Sequence, residues 1–169
     1  MKTLVSLATI TAVMAFAAPA MAEISGSLGY TSIDTDRAQV SGITARATWT
    51  QAWYGAEAEL SAGTGDDTVR VGSSSVKVKL NREESLFARA QWPVAPNFDV
   101  FVRAGYTNTH FGNSGLPVRR NGSNQAFSYG LGAEYFFDGS NGVRADWTQR
   151  DYKAIETSDS WSISYVHKF

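Results

Sequence analysis

Along residues 160–169 the apolar and polar side chains take turns. Trp161, Ile163, Tyr165, His167 and Phe169 share one parity, and Ser160, Ser162, Ser164 and Lys168 occupy the other. Only a repeat of two separates them this cleanly, which is the side-chain period of a β-strand. The same alternation recurs upstream. It is carried by Ile24, Leu28 and Tyr30, by Ile43, Ala45, Ala47 and Trp49, and by Tyr54, Ala56, Ala58 and Leu60. Further along it is carried by Leu86, Ala88, Ala90 and Trp92, and by Phe98, Val100, Val102, Ala104 and Tyr106. Phe127, Tyr129, Leu131, Ala133, Tyr135 and Phe137 follow, then Val143, Ala145 and Trp147. Together with the last segment these predict eight strands and an all-β fold.

The connections alternate in length. Those at Gln51-Ala52, Val94 to Asn97 and Asp138 to Gly142 are tight, whereas those near Asp34, Gly63 to Glu84, Asn108 to Asn124 and Lys153 to Asp159 are longer. Strands of about 10 residues suit a tilted crossing of a bilayer better than an ordinary sheet, whose strands run to about five or six. The expected architecture is an eight-stranded antiparallel up-and-down transmembrane β-barrel, with both termini on the short-turn side. In the stretch from Val69 to Glu84 the parity of Val76, Val78 and Leu80 is broken by Arg82 and Glu84, and an extension of the strands beyond the membrane is expected there.

Alternation by itself fits both a membrane barrel, apolar outside, and a secreted barrel, apolar inside around a ligand. The polar parity separates them. It carries Arg46, Glu57, Glu59, Arg89, Arg103, Glu134, Arg144 and Asp146, four cations against four anions, among Ser, Thr and Gly small enough for a narrow lumen. A turn centred on Gln51-Ala52 would place Arg46 opposite Glu57 as a cross-strand ion pair. At the short-turn end Trp49, Trp53, Tyr54, Trp92, Phe98, Phe137 and Phe169 would form an aromatic girdle at a membrane interface.

Composition adds limits. Lys2, the apolar stretch from Leu4 to Ala17, Pro19 and the small-residue site Ala20-Met21-Ala22 read as a cleaved signal peptide over residues 1–22, leaving a barrel domain over 23–169. Cysteine is absent, which excludes disulfides, thiolate catalysis and zinc-cysteine sites. With 15 Lys and Arg against 16 Asp and Glu, the balance argues against a nucleic-acid partner.

The final strand Ser160-Trp161-Ser162-Ile163-Ser164-Tyr165-Val166-His167-Lys168-Phe169 resembles the C-terminal signature of outer-membrane proteins. Gly55-Ala56-Glu57-Ala58-Glu59, Val94 to Phe101, Gly130 to Phe137 and Asp138 to Asp146 extend the likeness across the mature chain. They are similar to the small outer-membrane β-barrel, porin-like family related to the OmpA transmembrane domain and the opacity-type barrels. The resemblance implies residence in the outer membrane of a Gram-negative cell and export by the general secretory route. It also implies insertion by the barrel assembly machinery, with Trp161, Ile163, Tyr165 and above all Phe169 as the assembly signal.

Chemistry is sparse. His110 lies in a Gly- and Asn-rich segment near Ser114, and His167 belongs to the terminal strand; neither is assigned a catalytic role. Asp66 and Asp67 with these histidines show no metal-ligand spacing, and no cofactor is expected. Arg70, Lys77, Lys79, Arg82 and especially Arg119 and Arg120 are candidates for contact with lipopolysaccharide phosphates, since Arg matches phosphate geometry. An eight-stranded barrel has an interior just wide enough for its own side chains. The expected function is therefore a monomeric structural and surface-display protein, embedded in outer-membrane lipid and not an enzyme. A narrow channel for ions or small solutes is the alternative, and a lipid A-modifying enzyme a second one.

Overall fold

In a computed structural model of the 169-residue chain, the described residues are 22–35, 38–64, 66–71, 74–114, 122–152 and 157–169. The expected signal peptide lies outside them except for Ala22. Strands β1 (Ala22–Thr35), β2 (Ala38–Gln51) and β3 (Tyr54–Gly63) are followed by the short β4 (Asp66–Val71) and the long β5 (Ser74–Ala95). Then come β6 (Phe98–Ser114), β7 (Gly122–Phe136), β8 (Asn141–Tyr152) and β9 (Ser158–Lys168). Every pairing is antiparallel, each barrel strand lies beside its neighbours in sequence, and β9 returns to pair with β1.

The ring closes because β3 pairs with β5 from Tyr54↔Ala90 to Ser61↔Glu83. Beyond the break at Thr64, β4 continues along the same edge of β5 from Asp66↔Lys79 to Val71↔Ser74. β3 and β4 are thus one interrupted wall strand, and eight strands form the barrel. The expected strand extension is present as this β4–β5 hairpin, with β6 following on its other side as far as Lys77↔Ser114.

One register differs from expectation. Gln51 faces Tyr54, so the turn is Ala52-Trp53 and not Gln51-Ala52, and Arg46 lies opposite Glu59, with Glu57 opposite Thr48. The cause is local: Ala52 takes a left-handed φ of 55°, which carries the reversal one residue further along. A shift of two in the partner leaves every side chain on its predicted face. At another short turn, Asp138 Oδ1 accepts from the backbone N of Ser140 at 3.0 Å, and Asp138 Oδ2 accepts from Asn141 Nδ2 at 2.6 Å. The backbone hydrogen bond from Asn141, with its side-chain one, holds the Asp138 carboxyl below its ordinary value.

The inversion of faces is plain in the exposures. Leu28, Tyr30, Leu86, Tyr106, Leu131, Trp161 and Ile163 all point outward, Ile163 at 71% exposure, whereas Thr44, Glu57, Ser128 and Thr148 are wholly enclosed. Close strand contact is built in at Gly105, which faces Phe87 across the β5–β6 pair. A Cβ there would stand 1.9 Å from the Leu86 carbonyl oxygen and 2.7 Å from Phe87 Cα.

Two outcomes are expected from these faces. Leu131→Arg, on the outward face near mid-strand, should cost about 2–4 kcal/mol if it meets hydrocarbon, read from urea unfolding in lipid vesicles; an unchanged midpoint would reverse the assignment of faces. Gly105→Ala forces backbone apart and should cost at least about 1–3 kcal/mol in the same assay.

Candidate functional site: the charged interior

Inward parity on β2, β3, β5, β6, β7 and β8 gathers all eight charges expected in the lumen, and each is buried. Two further members, Glu83 on β5 and Arg150 on β8, join them, so the described interior holds five arginines and five carboxylates. Both lie on the parity already recognised in their strands. Arg150 is two steps past Thr148, beyond the point where the apolar pattern of that segment fades, and Glu83 sits between the outward-facing Arg82 and Glu84 that obscured it.

Glu57 is the hub. It accepts from Arg103 and Arg144, from Arg89 Nη1 at 3.3 Å and from Thr48 Oγ1 at 3.0 Å. Around it, Arg89 forks onto Glu134 at 3.0 and 2.7 Å, and Arg103 reaches Glu59 at 2.9 Å and Asp146 at 2.8 Å. Arg144 Nε donates to Asp146 at 2.7 Å. Arg46 donates to Glu59 at 2.6 Å and then crosses to the hydroxyl wall of β9, at Ser164 (2.8 Å) and Ser162 (3.0 Å). Nearer the loop end, Arg150 holds Glu83 at 2.6 Å and Ser160 at 2.6 Å.

Aromatic rings fill the space between the charged groups. The Arg89 and Arg144 guanidinium carbons lie 3.9 and 4.4 Å from the Phe101 ring centre, and Arg103 lies 4.4 Å from that of Phe87. Phe87 and Phe101 sit on the polar parity, and the sequence reading passed over them because it assigned rings to the outer face. Delocalised guanidinium groups stack on such faces while still donating in their own plane.

Further contacts stand at the two ends of the lumen. At the turn end, Lys168 Nζ stands 3.8 Å over the Phe136 ring and reaches Glu23 at 3.2 Å and Asp99 at 3.7 Å. At the loop end, Ile33 and Val40 face each other and are almost fully buried. Removing ten ions from water is costly, and mutual pairing is what makes a charged interior tolerable, although the Nε atoms of Arg89, Arg103 and Arg150 have no hydrogen-bond partner among the described residues.

Both histidines stand outside the lumen. His167 Nδ1 lies 2.9 Å from Asn141 Oδ1, with its ring edge-on to Phe169. His110 lies on the outward parity of β6, and the side chain of Ser114 is outside the described residues. Among the described residues no group of three or more His, Asp or Glu is placed to hold a metal ion. Trp161, Ile163, Tyr165 and Phe169 all point outward, Phe169 at 81% exposure. Arg119 and Arg120 lie outside the described residues, so their suggested lipopolysaccharide contact remains an expectation.

Among curated proteins, none matches the sequence. Solved structures do share the fold. Ail from Yersinia pestis, in complex with the heparin analogue sucrose octasulfate, is 13% identical, with 88% of this chain and 99% of that one covered and a TM-score of 0.64. OprG from Pseudomonas aeruginosa is 13% identical at a TM-score of 0.67, covering 87% of this chain and 95% of its own. The N-terminal β-barrel domain of Pseudomonas aeruginosa OprF is 11% identical at 0.60, covering 86% and 97%. The family described as outer membrane protein beta-barrel domain matches residues 3–169, essentially the whole sequence, and the chain is a member of that family.

Proposed function

We propose that this outer-membrane barrel has a structural and surface-display role. It spans the membrane as a sealed, rigid cylinder and presents its loop end to the outside. The observation that carries this reading is the filled interior: five arginines, five carboxylates and two phenylalanines occupy the cross-section, and Lys168 lies over Phe136 at the turn end. A passage for solutes needs an unfilled path, and an eight-stranded barrel packed this way offers its own side chains instead.

The β4–β5 hairpin supports display, because it lengthens one wall past the closed part of the barrel on the side of the longer connections. Export through the general secretory route with loss of residues 1–22 belongs to the same reading. So do insertion as a monomer by the assembly machinery acting on the strand that ends in Phe169, and contact of Arg119 and Arg120 with lipopolysaccharide phosphate. Brief protease treatment of intact cells should cut in the long connection around Arg119 and leave the paired strands, Arg82 on β5 among them, protected. Absence of any surface cleavage would count against display.

In planar bilayers the purified barrel should show no sustained conductance. Steady single-channel openings would replace the proposed role by a narrow channel. Glu57→Ala leaves Arg89, Arg103 and Arg144 facing one another without their shared acceptor, and it should cost about 3–5 kcal/mol in urea unfolding. The same variant is the one expected to leak in bilayers, as the interior admits water to solvate the unpaired cations.

A further inference from the structure

The β4–β5 hairpin carries an edge that the closed barrel does not. β4 pairs with β5 alone, from Asp66↔Lys79 to Val71↔Ser74, and its other edge meets no strand among the described residues. Lower in the same wall that edge is filled. β3 is paired with β2 from Gln51↔Tyr54 to Gly42↔Gly63, and a last rung follows, in which the Thr64 N–H donates to the Ser41 carbonyl at 2.9 Å. The same register carried upward would bring Ala38, where β2 ends on this side, level with Asp67. Residues 68–71 therefore rise past their neighbour.

Water surrounds this part of the wall. Arg82 and Glu84 on β5 pair at the surface with side chains 44% and 42% exposed, which marks where the wall leaves hydrocarbon. β4 pairs with β5 beyond them. An unpaired row of N–H and C=O groups is tolerated there, because solvent can bond it, but it remains a template for another strand. Proteins usually blunt such an edge with proline, a bulge or extreme shortness. β4 has six residues and no proline, and it pairs with β5 without a register shift. Charge is the guard it carries, and that charge is ordered: Asp66 and Asp67 stand at the barrel end of the strand and Arg70 near its tip.

We propose that the open edge of β4 docks an extended segment of another protein, which adds to the sheet as a further antiparallel strand. Backbone hydrogen bonds supply the affinity, and side chains at alternate positions supply the choice of partner. Opposite charges across a strand pair attract and like charges repel, so the segment that fits has cations facing Asp66 and Asp67 and none facing Arg70. β5 already shows such a fit on the filled edge, where Lys79 faces Asp66. A second copy of the barrel is a poor occupant. Two copies standing the same way up in one membrane are related by a two-fold along its normal, and strands tilted about 40° then cross at about 80°, too steeply for a ladder. The site rests on the display reading, since its partner has to reach the loop end from outside.

Hydrogen exchange read by NMR on the full barrel in lipid nanodiscs tests the edge, with a synthetic peptide copying residues 74–80 as the probe. In the free barrel every second amide of residues 66–71 should exchange at least tenfold faster than those between, which bond to β5. The peptide should slow that fast set at least tenfold and leave the others unchanged. N-methylation of every second peptide residue removes the donors from one of its edges; of the two possible patterns, one should lose binding at least tenfold and the other keep it. A peptide with Glu in place of both lysines should bind at least tenfold more weakly. Uniform protection of residues 66–71 in the free barrel would show that the chain covers its own edge and would overturn the proposal. So would exchange that millimolar peptide leaves unchanged, equal binding by both N-methylated patterns, or a barrel dimer that accounts for the protection. Nanodiscs leave both ends of the barrel accessible, so a negative result here tells against the edge alone, whereas missing surface cleavage on intact cells tells against display.

Discussion

A peptide group placed in hydrocarbon has no water to bond, so each backbone donor and acceptor has to find its partner within the protein. A flat sheet leaves two open edges. Pairing β9 with β1 and β3 with β5 removes them, and the rest of the molecule follows from that closure. Once the sheet is closed, alternating side chains must divide between an outside that meets lipid and an inside that meets only itself. The outside then carries Leu, Ile, Tyr and Trp, and the inside inherits every polar residue of the opposite parity.

The interior is where the energetic difficulty lies. Ten charged groups are taken out of water, and their cost is offset because each arginine faces carboxylates on other strands while its flat surface rests on Phe87 or Phe101, or its remaining donors reach serine hydroxyls. Glu57, which serves three arginines, ties β3 to β5, β6 and β8 across the lumen. These bonds cross the barrel, whereas the backbone ladders run around it, so together they resist both flattening and slippage of register. A stiff wall and a filled bore are one property seen from two directions.

The lipid-facing wall carries information of its own. Large side chains stand toward both rims, whereas small ones fill much of the middle, as at Ala47↔Ala58, Ala56↔Ala88, Ala88↔Ala104 and Ala133↔Ala145. In a soluble protein such a patch of alanines would hardly register. In a bilayer, depth along the strand has chemical meaning, because each strand passes from the hydrocarbon middle, met by small side chains, to the interfaces, met by aromatic ones.

The sequence by itself determined the strands, their number, the two faces and the eight-charge core of the lumen, because a period of two is a local property that survives without knowledge of neighbours. The outward parity of Trp161, Ile163, Tyr165 and Phe169 was readable for the same reason. Only the tertiary structure decided which charge meets which. Arg46 faces Glu59 and not Glu57 because Ala52 adopts a left-handed turn, a choice made by a single backbone angle. It also revealed Glu83 and Arg150 as partners, and Phe87 and Phe101 as interior rings, since their roles depend on strands distant in the chain. Side-chain parity is written residue by residue, whereas contacts across a lumen exist only after the ring has closed.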